Sequence, residues 1–152
     1  MDDYDLQASL PYLLNRVAHR LAEAFTEDLR PFDLSIGMWR VLAVLRPGGV
    51  IRMGELAEAT SIEISTLSRQ ITAMQARGLL RRKRSQEDAR AVEVDLLPEG
   101  RMLADKILPF ARRLETVTVR DMLPAEQTHL RALLEQLFVN CEALVLPELE
   151  PN

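Results

Sequence analysis

Residues 55–101 read ELAEATSIEISTLSRQITAMQARGLLRRKRSQEDARAVEVDLLPEGR. Within this stretch Ile64, Leu67, Ile71 and Met74 fall on one stripe of an α-helix, while Ser65, Arg69 and Ala73 fall opposite with Thr66 beside them. The spacing predicts a helix over 64–77, closed by Gly78 as the residue after the C-cap. No acidic residue lies between 64 and 77. A helix face shaped only for solubility usually carries Glu and Lys; this one carries small hydroxyls and an Arg. Small side chains permit close approach to a major groove, hydroxyls bond phosphates or bases, and Arg pairs bidentately with guanine. Met53 to Thr60 reads as a shorter helix with Leu56 and Ala57 inward, and Ser61-Ile62-Glu63 as a turn in which Ile62 packs. Together these read as a helix-turn-helix, although an ordinary helical pair shows the same generic pattern.

Beyond Gly78, residues 79–84 and 92–97 read as two strands. The polar segment 85–91 lies between them, which makes a β-hairpin with a longer loop. Arg81, Arg82, Lys83 and Arg84 alternate across a strand and cannot share one face. Some are expected to meet a sugar-phosphate backbone, Arg82 and Arg84 among them. At the hairpin tip, Asp88-Ala89-Arg90 presents an Arg on a projecting loop, suited to the concentrated negative potential of a narrow minor groove. Asp88 is expected to orient that guanidinium by a charge-assisted bond. A local surface pair of little energetic value is the alternative.

Charge distribution supports the same surface. The chain of 152 residues has a net charge of −4, which by itself argues against a nucleic-acid partner. From 68 to 92, however, seven basic residues (Arg69, Arg77, Arg81, Arg82, Lys83, Arg84, Arg90) face two acidic ones (Glu87, Asp88). That local excess of +5 leaves −9 on the rest of the chain. Local charge, not the total, decides phosphate contact. A solvated basic loop would show the same excess.

Towards the N-terminus, Leu10, Leu13, Leu14, Val17, Leu21 and Phe25 recur at three- and four-residue spacing and predict a helix over 9–30 ended by Pro31. Ser35 can cap a second helix carrying Met38, Val41, Leu42 and Leu45. Pro47-Gly48-Gly49 breaks it, and Val50-Ile51-Arg52 reads as a short strand. Towards the C-terminus two helices follow, 98–121 and 124–145, each opening on a proline that has no N–H to leave unpaired. Pro109 is expected to kink the first of them. The fold class is therefore mainly α with a small β wing: a winged helix-turn-helix over 35–97, with long terminal helices over 9–31 and 98–146 that form a dimerisation region. Leu103, Ile107, Phe110, Leu114 and Val117 form one further stripe, and Leu130, Leu133, Leu134, Leu137 and Phe138 another. With Leu10, Leu13, Leu14 and Val17 they give more apolar surface than a compact winged helix covers. Part packs on the protein's own core; the rest is expected to be buried against a second copy.

Other function classes find little support. His19, His129 and the single Cys141 are too few for a common zinc site. No Ser-His-Asp order, metal cluster or Gly-rich phosphate loop points to an enzyme or a bound cofactor. Both histidines read as surface residues, and Cys141 as a small buried hydrophobe. No apolar run approaches the roughly 18 residues that span a bilayer. The acidic N-terminus does not resemble a signal peptide, so a cytoplasmic protein is expected. Phe25, Met38 and Trp39 fall where the two subdomains should meet and could line a ligand pocket; plain core is the competing reading.

The stretch quoted above resembles the MarR/SlyA family of bacterial regulators. Ser65-Thr66-Leu67-Ser68-Arg69 leading into Gly78-Leu79-Leu80, and Asp88-x-Arg90 followed by Leu96 and Gly100-Arg101, carry most of the match. Met38-Trp39-Arg40-Val41-Leu42 looks like that family's second helix, and the resemblance runs from about 10 to 145. It implies a homodimer on a pseudo-palindromic site in double-stranded DNA, often repressing transcription and often released by a small anionic or phenolic ligand. By position, Ser65, Thr66, Ser68 and Arg69 correspond to the family's major-groove residues and Arg90 to its minor-groove wing residue. The chain departs from the family at three helix caps, where Arg52, Leu97 and Leu123 stand in place of hydroxyl residues. The family's peroxide-sensing branch keeps its reactive Cys near the start of the first helix, where this chain has none. A dimeric interaction protein of the same fold without sequence-specific DNA binding is the alternative, and the intact +5 stretch argues against it.

Overall fold

The computed structural model describes residues 4–85, 88, 90–142 and 144. The described residues form two compact units, divided between Leu114 and Glu115.

In the first unit, α1 (Leu10–Leu29) runs into a 3-10 turn (Arg30–Phe32), where Pro31 stops the α-helix as expected. Asp33, at φ 52°, reverses the chain. The Ser35 side chain then accepts the Met38 N–H at 3.1 Å and starts α2 (Ile36–Leu45). Gly48 and Gly49 both have positive φ and end that segment. The strand β1 (Ile51–Arg52) leads into α3 (Met53–Thr60); Val50 lies outside the strand and is exposed. Ser61, in the left-handed region, and Ile62, whose N–H reaches Ala57 O at 3.1 Å, make the turn to α4 (Ile64–Ala76). The wing is β2 (Leu80–Arg84) and β3 (Val92–Leu96), paired antiparallel with Leu80 opposite Leu96 and Arg84 opposite Val92. β1 joins the other side of β3, giving the order β1-β3-β2.

One core holds this unit. Leu56 of α3, Leu67, Ile71 and Met74 of α4, Val41 and Leu42 of α2, and Val94 of β3 are fully buried. Each such side chain contributes about 1.5–3 kcal/mol of burial. The helix α5 (Pro98–Thr118) inserts Ala104 and Ile107 into the same core and rests Leu103, Phe110 and Leu114 against it. That stripe therefore packs largely on its own chain. Ile64 departs from the predicted stripe: it sits in the first turn of α4, beyond the reach of the core, and is 48% exposed.

In the second unit, α6 (Pro124–Glu142) lacks a hydroxyl cap, but Glu126 Oε2 accepts the Leu123 N–H at 2.7 Å. That is the reciprocal half of a capping box, made without the hydroxyl. Leu130, Leu133, Leu134 and Phe138 are exposed and Leu137 is half-buried. Cys141 is exposed, not buried as expected. The predicted helical positions 143 and 145–146 lie outside the described residues.

Candidate nucleic-acid interface

The leading end of α4 carries the residues singled out from sequence. Glu63 is its N-cap, a role that the local pattern, which marks only a turn there, does not reveal. Its carboxylate accepts the Ser65 N–H at 3.0 Å and the Thr66 N–H at 3.1 Å, and also the Ser65 hydroxyl. The Ser65 hydroxyl bond, those two N–H groups and the nearby Arg69 charge hold the Glu63 carboxyl below its usual range. Ser65 Oγ must exchange this partner before it can donate to a phosphate or base acceptor, while its lone pairs stay free to accept from a base amino group. Thr66 Oγ1 accepts from Arg69 at 3.2 Å, which sets the direction of an exposed guanidinium before any ligand arrives. Ser68 is half-buried, so its backbone rather than its hydroxyl makes the closest ties within the protein.

Because the folded-state pKa of Glu63 is depressed, its cap contributes stability above the unfolded pKa and loses it as pH falls through the folded value. Wild-type protein is therefore expected to melt higher than Glu63→Ala at neutral pH, with the gap narrowing below the usual carboxylate range. Thermal melts between pH 7 and pH 3 check this; a gap independent of pH contradicts the cap.

The wing sorts its four basic residues by strand alternation. Arg81 pairs with Asp95 at 2.8 Å and Lys83 approaches Glu93 at 3.6 Å, so β3 neutralises one face. These partners lie just past residue 92, and the local charge excess read from sequence is correspondingly larger than the charge left unpaired. Arg82 and Arg84 share the other face. Arg84 is exposed; Arg82 is half-buried and bonded to α4.

Asp88 does not hold the Arg90 guanidinium. Its carboxylate accepts the Arg90 backbone N–H at 2.9 Å, and its carbonyl accepts Ala91 N–H at 2.9 Å. It shapes the loop by a local side-chain turn and leaves the exposed Arg90 side chain without a partner among the described residues. Gln86, Glu87 and Ala89 lie outside those residues. Arg90 and Ser68 line one cleft of about 450 Å³, together with Ile64 and Met53. The exposure of Ile64 thus belongs to this surface.

The three residues picked as ligand-binding separate. Phe25 and Trp39 are buried and meet edge to face, ring centres 5.9 Å apart, which is core packing. Met38 is half-buried and opens on a second cleft of about 450 Å³ with Thr26, Arg30, Ala73 and Arg77. Sequence reasoning missed Arg77, whose guanidinium donates to Phe32 O at 2.9 Å and Asp33 O at 2.6 Å. No periodicity marks a bond across more than forty residues. No metal-holding cluster occurs among the described residues, and no helix there is long and apolar enough to cross a membrane.

A helix with a hydroxyl-and-Arg face, flanked by a basic wing, defines a winged-helix protein of the DNA-binding class. The sequence profile of the MarR family matches residues 34–92. The chain is 30% identical over 124 residues to the HTH-type transcriptional regulator PecS of Dickeya dadantii, covering 80% of this chain and 75% of that one. It is 27% identical over 133 residues to the HTH-type transcriptional repressor IacR of Pseudomonas putida, covering 88% and 80%. Among solved structures, BpsR of Bordetella bronchiseptica superposes with a TM-score of 0.82 at 29% identity, covering 89% of this chain and 96% of that one. The chain belongs to the MarR family: it is a DNA-binding transcriptional regulator and not an enzyme.

Proposed function

We propose that this regulator is a cytoplasmic homodimeric repressor whose two α4 helices enter successive major-groove turns of a pseudo-palindromic operator. The observation that carries this reading is the surface shared by α4 and the wing. Ser65, Thr66 and Arg69 stand exposed or half-exposed there, flanked by Arg84 and Arg90, which are unpaired among the described residues. Ser65, Thr66, Ser68 and Arg69 read base edges or phosphates, Arg84 meets the backbone, and Arg90 enters the adjacent minor groove. The test is equilibrium binding to a random pool of duplexes and to those it retains after repeated selection. Retained duplexes are expected to bind at least about 10³-fold tighter than the pool, with affinity falling steeply as salt rises. Equal affinity for both contradicts sequence-specific reading.

In this reading residues 35–97 bind DNA, and 9–31 with 98–146 make the dimer. Leu10, Leu13, Leu14 and Val17 are exposed on α1, as are Leu130, Leu134 and Phe138 on α6, beside half-buried Leu137. Such apolar faces favour burial against a second copy. Wild-type protein is expected to sediment at twice the 17.2 kDa chain mass. Leu13→Asp is expected to shift it to monomer and abolish tight binding to a two-fold duplex. A wild-type monomer would contradict the dimer.

The structural relative BpsR has its DNA binding regulated by 6-hydroxynicotinic acid, a hydroxylated aromatic acid. We place a small phenolic or anionic effector of this chemistry in the cleft beside Met38, which Arg77, Arg30 and Asp33 also line; Arg30 is paired with Glu27 at 2.7 Å, which leaves Arg77 as the cation to meet it.

A further inference from the structure

We propose that Arg82 is a positioning residue for sequence reading: it fastens the wing to α4 and does not itself neutralise a phosphate. This rests on the DNA-binding reading above and assigns Arg82 a different part in it. One guanidinium nitrogen donates to the Ser68 carbonyl and to Thr72 Oγ1, both at 2.6 Å. Thr72 Oγ1 in turn donates to the same carbonyl at 2.9 Å. The three groups close a small network on the turn of α4 that carries Arg69. Arg82 Nε is buried and has no partner among the described residues, so the side chain is drawn inward although one of its own donors goes unmet. Its neighbours on the strand behave otherwise: Arg81 and Lys83 pair on the opposite face, and Arg84 is exposed.

The position of this network gives it leverage. Arg82 stands opposite Val94 in the middle of the hairpin whose end carries Arg90. Its bonds to Ser68 and Thr72 therefore fix the offset between the Arg90 loop and the Arg69 side chain. Major-groove and minor-groove contacts can form together only if that offset matches the duplex. An interaction made within the protein adds little to non-specific attraction, which depends on phosphate neutralisation. It matters where several contacts must be satisfied at once.

The experiment measures full-length Arg82→Met, Arg82→Lys, Thr72→Val and Arg84→Met against a selected duplex and a random-sequence duplex, each over a range of salt. Arg82→Met and Arg82→Lys are expected to lose about tenfold or more on the selected duplex. Binding to the random duplex and the salt slope should be unchanged. Lys keeps the charge, but its stem reaches one bond less far than the guanidinium nitrogen that makes both bonds, and its ammonium is more strongly hydrated, so it restores a phosphate contact and not this network. Thr72→Val should reproduce the loss, and combining it with Arg82→Met should add little. Arg84→Met should weaken both duplexes alike and reduce the salt slope by about one for each phosphate that Arg84 neutralises. Arg82→Lys binding like wild type would overturn the proposal, as would a flattened slope in Arg82→Met. If Arg82→Met fails to fold, Thr72→Val decides alone: wild-type discrimination in it overturns the proposal. Failure of the wild type to retain any duplex would instead refute the DNA-reading function.

Discussion

Arg90→Ala is expected to lower affinity for a selected duplex by about 30-fold or more. An Arg contact to a base edge or a narrow groove contributes about 1–3 kcal/mol. A dimer loses two copies at once, so the deficit is about 2–6 kcal/mol, where each 1.4 kcal/mol is tenfold. The structure favours a large value because Asp88 occupies itself with the Arg90 backbone N–H and leaves the guanidinium available. Arg69→Ala is expected to cost a similar amount with a different signature. Thr66 steadies the Arg69 side chain at 3.2 Å on the exposed face of α4. Its loss should relax base preference at one position in each half-site, whereas loss of Arg90 should act on the flanking minor groove. Wild-type affinity in either variant would show that the corresponding guanidinium does not touch DNA.

Among the glycines, the substitution expected to cost the most stability is Gly100→Ala. A Cβ at Gly100 would lie 2.0 Å from the Leu79 carbonyl oxygen and 2.9 Å from the Leu79 carbonyl carbon. Leu79 cannot easily give way, because its carbonyl accepts the Leu97 N–H at 3.0 Å and its N–H reaches Met74 O at 3.1 Å. It is the joint at which α4 ends, the wing begins and α5 starts. Overpacking costs about 1–3 kcal/mol and occasionally more, and a backbone obstacle places this site at the top of that range. For a chain of this size the melting temperature should fall by about 6–12 °C. Gly54→Ala is the comparison, because nothing lies within 4 Å of its added Cβ. It should be neutral or slightly stabilising. A Gly100→Ala protein melting within about 1 °C of wild type would mean that α5 does not pack against Leu79 in this way.

The elements are legible in the sequence wherever a local rule governs them. Pro31, Ser35, Gly78, Pro98 and Pro124 mark helix ends through their own backbone and capping chemistry, and an α-helix starts or ends within two residues of each. The stripe of Leu67, Ile71 and Met74 separates core from reading face because a helix repeats its faces at short range. Other features depend on partners distant along the chain and carry no periodic signal. Arg77 reaches Phe32, Arg101 reaches the Arg46 carbonyl, and Arg113 binds Asp28 at 2.7 Å. The wing shows the limit most clearly. Alternation divides its four basic residues into two pairs, but only the fold shows that β3 neutralises Arg81 and Lys83 while α4 claims Arg82. Trp39 and Phe25 illustrate the converse. An apolar residue near a subdomain junction looks alike in sequence whether it lines a cavity or fills the core, and here both fill it.

Two copies of α4 and its wing are expected to read DNA together, and the duplexes that wild-type protein retains from a random pool record whether they do. Sequencing those duplexes should give a two-fold symmetric site with half-site centres about 10 base pairs, one helical turn, apart. Retained duplexes without symmetry, or with one isolated half-site, would contradict paired reading by a dimer.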